Sequence, residues 1–239
     1  MERWKMETLK NFGVIKKKLT IIFPSSIFQF FNHNLNINVF NLKNLIMKLI
    51  FATNNQNKLQ EVRQILWNKF EVLWLKEFGC DDDIPETQDT FKWNASQKSN
   101  FFYEKYKINC FADDSGLVVN ALDWEPWIYS ARYAGPNNDY AKNREKLLEN
   151  MKWKTDRSAY FITVISLILD GKEYFFEWKV DGKIINENEY NQEEWFGYDP
   201  IFIPDGYEKT FGEIPHEVKN SISHRGTAMK QMVEFLSKI

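Results

Sequence analysis

Residues 158–182 read SAYFITVISLILDGKEYFFEWKVDG, and this stretch restricts the fold more than any other. Its β-branched and aromatic residues alternate with polar ones, a period that buries one face of an extended strand and suits no helix. Asp170-Gly171 divides the stretch in two, and an Asp-Gly dipeptide between such runs is a hairpin signal because both residues tolerate positive φ. A second pair, Asp181-Gly182, predicts another hairpin turn where the second run ends.

The remainder places helices around these strands. MKLIFAT, from Met47, predicts a buried strand, and NNQNK leads from it into an amphipathic helix with Leu59, Val62, Ile65 and Leu66 on one face. EVLWL predicts a second short strand. A helix is expected from Thr90 to about Tyr106 with Phe91, Ala95 and Phe102 inward, followed by NCFADDSGLVV, a strand expected to end at its two acids. Residues 137–151 look helical. In SISHRGTAMKQMVEFLSKI, Ser223 stands as an N-cap, and Ala228, Met229, Met232, Val233 and Leu236 form one stripe. Crossover and hairpin connections together imply an α/β fold around a mixed sheet, a single domain of two lobes over residues 47–239.

Residues 1–46 have a different character. They carry seven Lys or Arg against two acids, which leaves the rest of a chain of formal charge −2 near −7. The expectation is a dispensable extension arising from an upstream start codon, with a chain begun at Met47 folding and functioning alone. Its apolar run LTIIFPSSIFQFF is too short to span a bilayer. Nothing in a net acidic domain favours a long nucleic acid duplex, and neither a nucleic acid nor a membrane partner is expected. Cys80 and Cys110 match no zinc spacing with His33, His216 and His224 and form no disulfide framework, so the plain inference is a cytoplasmic protein in a reducing compartment.

Three segments carry polar chemistry. ATNNQNK delivers Thr53, Asn54, Asn55, Gln56 and Asn57 to a helix N-terminus with Lys58 one turn in, where unpaired backbone N–H groups and a cation suit a phosphate; an ordinary capped helix with a surface lysine has the same pattern. No Walker sequence is present, which removes most kinase and GTPase readings. Asp113 and Asp114 repel one another unless a cation or strong donors compensate. Magnesium takes oxygen ligands and bridges to phosphates, so it is one answer, and an Asx turn is another. Alternation sends the two side chains to opposite faces, so that one meets a metal and the other braces the loop. In EWFGYDPIF and EVKNSISHRG, Phe196 and Tyr198 offer flat faces for a purine, and Asp199, Lys219, His224 and Arg225 offer polar groups for its edge. Either could equally be core and a capped helix.

FATNNQNKLQEV, ETQDTFKWNASQK, ADDSGLVVNAL, YSARYAG, FGYDPIF and KNSISHRGTA, in this order, resemble the inosine/xanthosine triphosphate pyrophosphatases, the house-cleaning nucleotide hydrolases. The resemblance runs from about Lys48 to Leu236. It implies an elongated mixed β-sheet flanked by helices, two lobes with a central active-site cleft, and a homodimer. It further implies Mg2+-dependent hydrolysis of deaminated purine nucleoside triphosphates, ITP, dITP and XTP, to monophosphate and pyrophosphate. By the same resemblance Thr53 to Lys58 wrap the phosphates and Glu86 and Asp114 serve the metal; for the hydrolysis this implies, Asp114 is the residue expected to activate the water. Lys98 approaches the phosphate chain and Ser115 touches substrate. Phe196, Gly197, Tyr198 and Asp199 hold the nucleoside, with Lys219, His224 and Arg225 finishing the base pocket.

The sequence departs from the pattern where glycine is usual, at Asn54, Gln88, Trp124, Trp127 and Trp195, and the two rings at 124 and 127 are expected beside the cleft. Two other functions remain open at this level. One is a related pyrophosphatase for modified pyrimidine or methylated nucleotides, and the other is a nucleotide-binding sensor without turnover.

Overall fold

The computed structural model describes residues 47–66, 70–190 and 196–239. The extension at residues 1–46 and Trp195 therefore lie outside the described residues. Six strands form one open mixed sheet in the order β2-β1-β3-β4-β5-β6. They are β1 Met47–Phe51, β2 Phe70–Trp74, β3 Cys110–Val119, β4 Ser158–Leu169, β5 Lys172–Ile184 and β6 Phe202–Pro204. The helices are α1 Gln56–Ile65, α2 Leu75–Phe78, α3 Phe91–Tyr106, α4 Tyr140–Met151, α5 His216–Ile222 and α6 His224–Lys238. β1 is parallel to β2 and β3, while β3, β4, β5 and β6 run antiparallel in succession.

The hairpin read from residues 158–182 forms β4 and β5, the two longest strands, with β3 on one side and β6 on the other. Asp170 and Gly171 make its turn with φ of 48° and 79°, both in the region that a two-residue hairpin loop demands. Asp181-Gly182 does not turn. β5 continues through it to Ile184, and a Cβ on Gly182 would lie 2.3 Å from the Ile203 carbonyl oxygen of β6. That glycine is therefore explained by close strand approach rather than by φ.

β3 likewise does not end at its acids. It runs through Asp113 and Asp114 to Val119, because β4 supplies ladder partners along its whole length, from Ile168 opposite Cys110 to Ala159 opposite Val119. The expected helix at 137–151 begins at Tyr140, where Asp139 caps it by accepting from Lys142 N. Ser223 caps α6 as anticipated, accepting from Gly226 N.

Four apolar clusters divide the molecule into two lobes. On one sheet face α1 and α6 cover β1, β3 and β4 through Leu59, Val62, Met229, Met232 and Leu236. α3 covers the opposite face through Phe102, against Cys110, Ala112 and Ile168. Farther along β3 and β4, a separate cluster gathers Leu117, Phe161, Leu147, Met151, Phe202 and Phe211, and a smaller one lies behind it around Phe91 and Val164. Apolar packing is interrupted between these halves, where the polar middle of β3 emerges.

The junction of α5 and α6 depends on Gly226. A Cβ there would sit 1.9 Å from the Asn220 carbonyl oxygen. Gly226→Ala is expected to cost about 2–3 kcal/mol through backbone displacement, lowering Tm by roughly 5–10 °C. Scanning calorimetry checks this, and an unchanged Tm would show that α5 yields without cost.

Candidate active site

The first turn after β1 caps itself. Thr53 Oγ1 accepts from Asn55 N at 3.1 Å, and Asn55 Oδ1 accepts from Asn57 N at 3.0 Å and Lys58 N at 3.1 Å. The unpaired N–H groups expected from the sequence are thus partly satisfied by the chain itself. Asn54 is exposed and takes no positive φ, so glycine's freedom is not required there; the same holds for Gln88. Gln56 is exposed at the first position of α1.

One turn into α1, Lys58 lies 3.2 Å from Asp113 Oδ1. Asp113 is buried on the α1/α6 face and also accepts from Arg225 Nε at 3.1 Å. Burial pushes its carboxyl up, but the charges of Lys58 and Arg225 outweigh this and hold it well below the usual carboxylate range. Asp114 projects to the opposite face, toward Lys98, whose Nζ is 3.4 Å from Asp114 Oδ1 and 2.5 Å from Glu86 Oε1. Burial, aided by repulsion from Glu86 and Asp113, pushes the Asp114 carboxyl up despite Lys98. The adjacent aspartates therefore coexist here because alternation separates them and lysine or arginine lies beside each.

On the Asp113 side the network continues through a residue that the sequence reading left out. Glu61 accepts from Lys219 Nζ at 2.5 Å and from Arg225. Lys219 Nζ also donates to Asp199 Oδ2 at 2.5 Å, and Arg225 donates from its remaining nitrogen to Ser115 Oγ at 2.7 Å. Burial raises the Asp199 carboxyl, with Lys219 opposing the shift. Glu61 follows Lys58 at i+3 and so shares its helix face, a signal legible in the sequence. Each of the three Arg225 nitrogens thus holds a protein partner, and the residue still lines the cleft.

Above this network is a cleft lined by Asn55, Ser115, Leu117, Tyr140, Phe161, Phe196 and His224, among others. His224 stacks on Phe161, with centroids 4.7 Å apart and planes at 6°. Its Nδ1 is buried with no hydrogen-bond partner among the described residues. Burial, reinforced by Arg225 and Lys219, drives its pKa well below 6.5, so the imidazole is neutral. Phe196 stands opposite, and Gly197 after it adopts φ 58° with its carbonyl held by Arg144 of α4 at 2.8 Å. Tyr198 is buried with its hydroxyl on the Ser130 carbonyl at 2.8 Å, so it supports the wall from behind.

Trp124 and Trp127 keep the positive φ usual for glycine, at 75° and 46°. Their rings do not enter the cleft. They line a separate groove with Phe91, Tyr160 and Val164 on the other sheet face. Of the residues singled out from the sequence, Glu86, Lys98 and Asp114 form one group, and Lys58, Ser115, Lys219, His224, Arg225 and Phe196 to Asp199 form a second around the cleft. Thr53 holds the turn and Asn54 donates to the Asp82 carbonyl at 3.3 Å, and neither lines the cleft.

Fold and site together define a class: an open mixed-sheet α/β protein whose two lobes enclose an aromatic cleft ending in clustered lysines and carboxylates. The Ham1 family profile matches residues 49–235, and the chain belongs to the Ham1 family. It is 45% identical over 191 residues to the dITP/XTP pyrophosphatase of Flavobacterium johnsoniae, covering 80% of this chain and 98% of that protein. To the protein of the same name from Porphyromonas gingivalis it is 49% identical over 190 residues, covering 79% and 97%. The Staphylococcus aureus Ham1 protein superimposes with TM-score 0.71 at 40% identity over 80% of this chain and 98% of that one. A Coxiella burnetii HAM1 protein gives TM-score 0.72 at 34% identity over 80% and 99%.

Proposed function

We propose that this protein hydrolyses deaminated purine nucleoside triphosphates, ITP, dITP and XTP, to the monophosphate and pyrophosphate. The observation that carries the reading is one cleft lined both by Phe196 and a neutral, unsatisfied His224 and by Lys58 and Asn55 of the turn after β1. Membership of the Ham1 family and relatives named dITP/XTP pyrophosphatase support it.

The base lies against Phe196, with His224 at its edge. A 6-oxo acceptor meets the imidazole N–H, whereas the 6-amino group of adenine opposes it; a buried donor left unpaired costs about 1–3 kcal/mol, or about ten- to a hundredfold in preference. Lys58 and Lys98 carry the phosphate charge. Asp114 orients a water and takes its proton as the water oxygen bonds to the α phosphorus; the α–β bridging bond breaks and pyrophosphate departs.

The residues fit a magnesium ion. Four cations face five carboxylates in the network of Lys58, Lys98, Lys219 and Arg225 with Glu61, Glu86, Asp113, Asp114 and Asp199, so an arriving triphosphate needs added positive charge. Lys98 already marks a place between Glu86 and Asp114 where a cation is favoured. Glu86 and Asp114, together with substrate oxygens, would hold such a metal. When bound, magnesium supplies charge neutralisation at the phosphates. A cytoplasmic homodimer belongs to the same proposal; among the described residues no helix is long and apolar enough to cross a membrane.

The test is a triphosphate panel with magnesium, measuring pyrophosphate against orthophosphate. Pyrophosphate from ITP, dITP and XTP, at least about tenfold faster than from ATP, is expected. Orthophosphate as direct product would eliminate α–β cleavage, preference for modified pyrimidines would move the base assignment, and binding without turnover would leave a sensor.

A further inference from the structure

The charge network does not use Tyr140, the first residue of α4. Its ring meets Phe196 edge-on, with centroids 5.3 Å apart and planes at 82°. Its hydroxyl accepts at 3.4 Å from Nδ2 of Asn55, the residue that caps α1 at the phosphate end. Phe196, Tyr140 and Asn55 thus make one continuous wall of the cleft, with Tyr140 in the middle.

Two features show what the hydroxyl is free to do. The bond from Asn55 is near the outer limit of hydrogen-bond length, and the tyrosine proton goes to no partner among the described residues. One turn farther along α4, Arg144 holds the Gly197 carbonyl and the Tyr190 hydroxyl, each at 2.8 Å, so a fixed element presents the ring to the Phe196 loop.

In a nucleotide the sugar joins base to phosphate. A donor midway along a wall that runs from the base platform to the phosphate turn meets that sugar. We propose that Tyr140 contacts substrate as the sugar-reading residue, its hydroxyl donating to a ribose or deoxyribose hydroxyl while its ring edge supports Phe196. The proposal rests on the cleft being a purine nucleotide site.

Tyr140→Phe keeps the ring and removes only the hydroxyl. Titration calorimetry with inosine 5′-monophosphate and its 2′,3′-dideoxy analogue, on wild type and variant, tests the contact without needing turnover. The variant is expected to bind the ordinary nucleotide about fivefold more weakly and the dideoxy nucleotide unchanged, with KM for ITP raised to the same degree and kcat kept. Equal weakening of both nucleotides, or of neither, overturns the sugar contact alone. Failure of the wild type to bind either nucleotide overturns the purine site together with it.

Discussion

Asp114→Asn is expected to lower kcat at least about a hundredfold, the ordinary worth of a general base, while the protein remains cooperatively folded at pH 7. The two halves of this expectation have one origin. Asp114 is buried and its carboxyl is pushed up, chiefly by desolvation and then by Glu86 and Asp113 against the pull of Lys98. A carboxyl whose folded pKa exceeds its unfolded one is a cost once ionised: relative stability falls as pH rises from the unfolded pKa through the folded one and stays lower at neutral pH. Asparagine fills the same space without that charge, and Lys98 keeps Glu86 as partner. Steady-state turnover of ITP with thermal melting at pH 7 decides the matter. Near-normal kcat would remove Asp114 from the chemistry, and a collapsed melting transition would assign it to the fold.

Arg225→Ala should have its largest effect on stability. The guanidinium is buried between Asp113, Glu61 and Ser115. Removing it leaves buried Asp113 with Lys58 alone and half-buried Glu61 with Lys219 alone, a loss of about 3 kcal/mol, the lower end for a broken buried pair, or roughly 6–12 °C in Tm. The loss should also change the acid limb. Asp113 is held below its unfolded pKa by Lys58 and Arg225, so its contribution is present above about pH 3.9 and declines as pH falls toward the folded value. Without Arg225 that depression shrinks, and acid unfolding moves to higher pH. Equilibrium urea unfolding across pH 3–7 measures both effects; a variant within about 1 kcal/mol of wild type would mean that water replaces the guanidinium. Because Nε, Nη1 and Nη2 of Arg225 each hold a protein partner, the variant's change in base preference is expected to be smaller than its change in stability.

Much of the fold was legible because its signals are local. Alternation and Asp170-Gly171 define the central hairpin, Ser223 caps its helix, and the stripe from Ala228 to Leu236 packs on the sheet. The misreadings share a cause. Asp181-Gly182 and the acids of β3 look like strand ends, yet both lie inside strands, since partners far along the chain complete the ladder and the ion pairs. Glu61 was within reach through its i+3 spacing from Lys58, but its carboxylate gains meaning only from Lys219 and Arg225 more than 150 residues away.

By itself the sequence determined which residues could bury apolar faces, where helices could start, and that alternation must send Asp113 and Asp114 to opposite sides. Only the tertiary structure decided which cation each carboxylate meets, that His224 is neutral with an unpaired nitrogen, and that the rings of Trp124 and Trp127 stand outside the cleft. The reason is physical. Strand period and helix capping are set by neighbours within a few residues, whereas desolvation and charge pairing depend on groups that meet only when distant segments pack together.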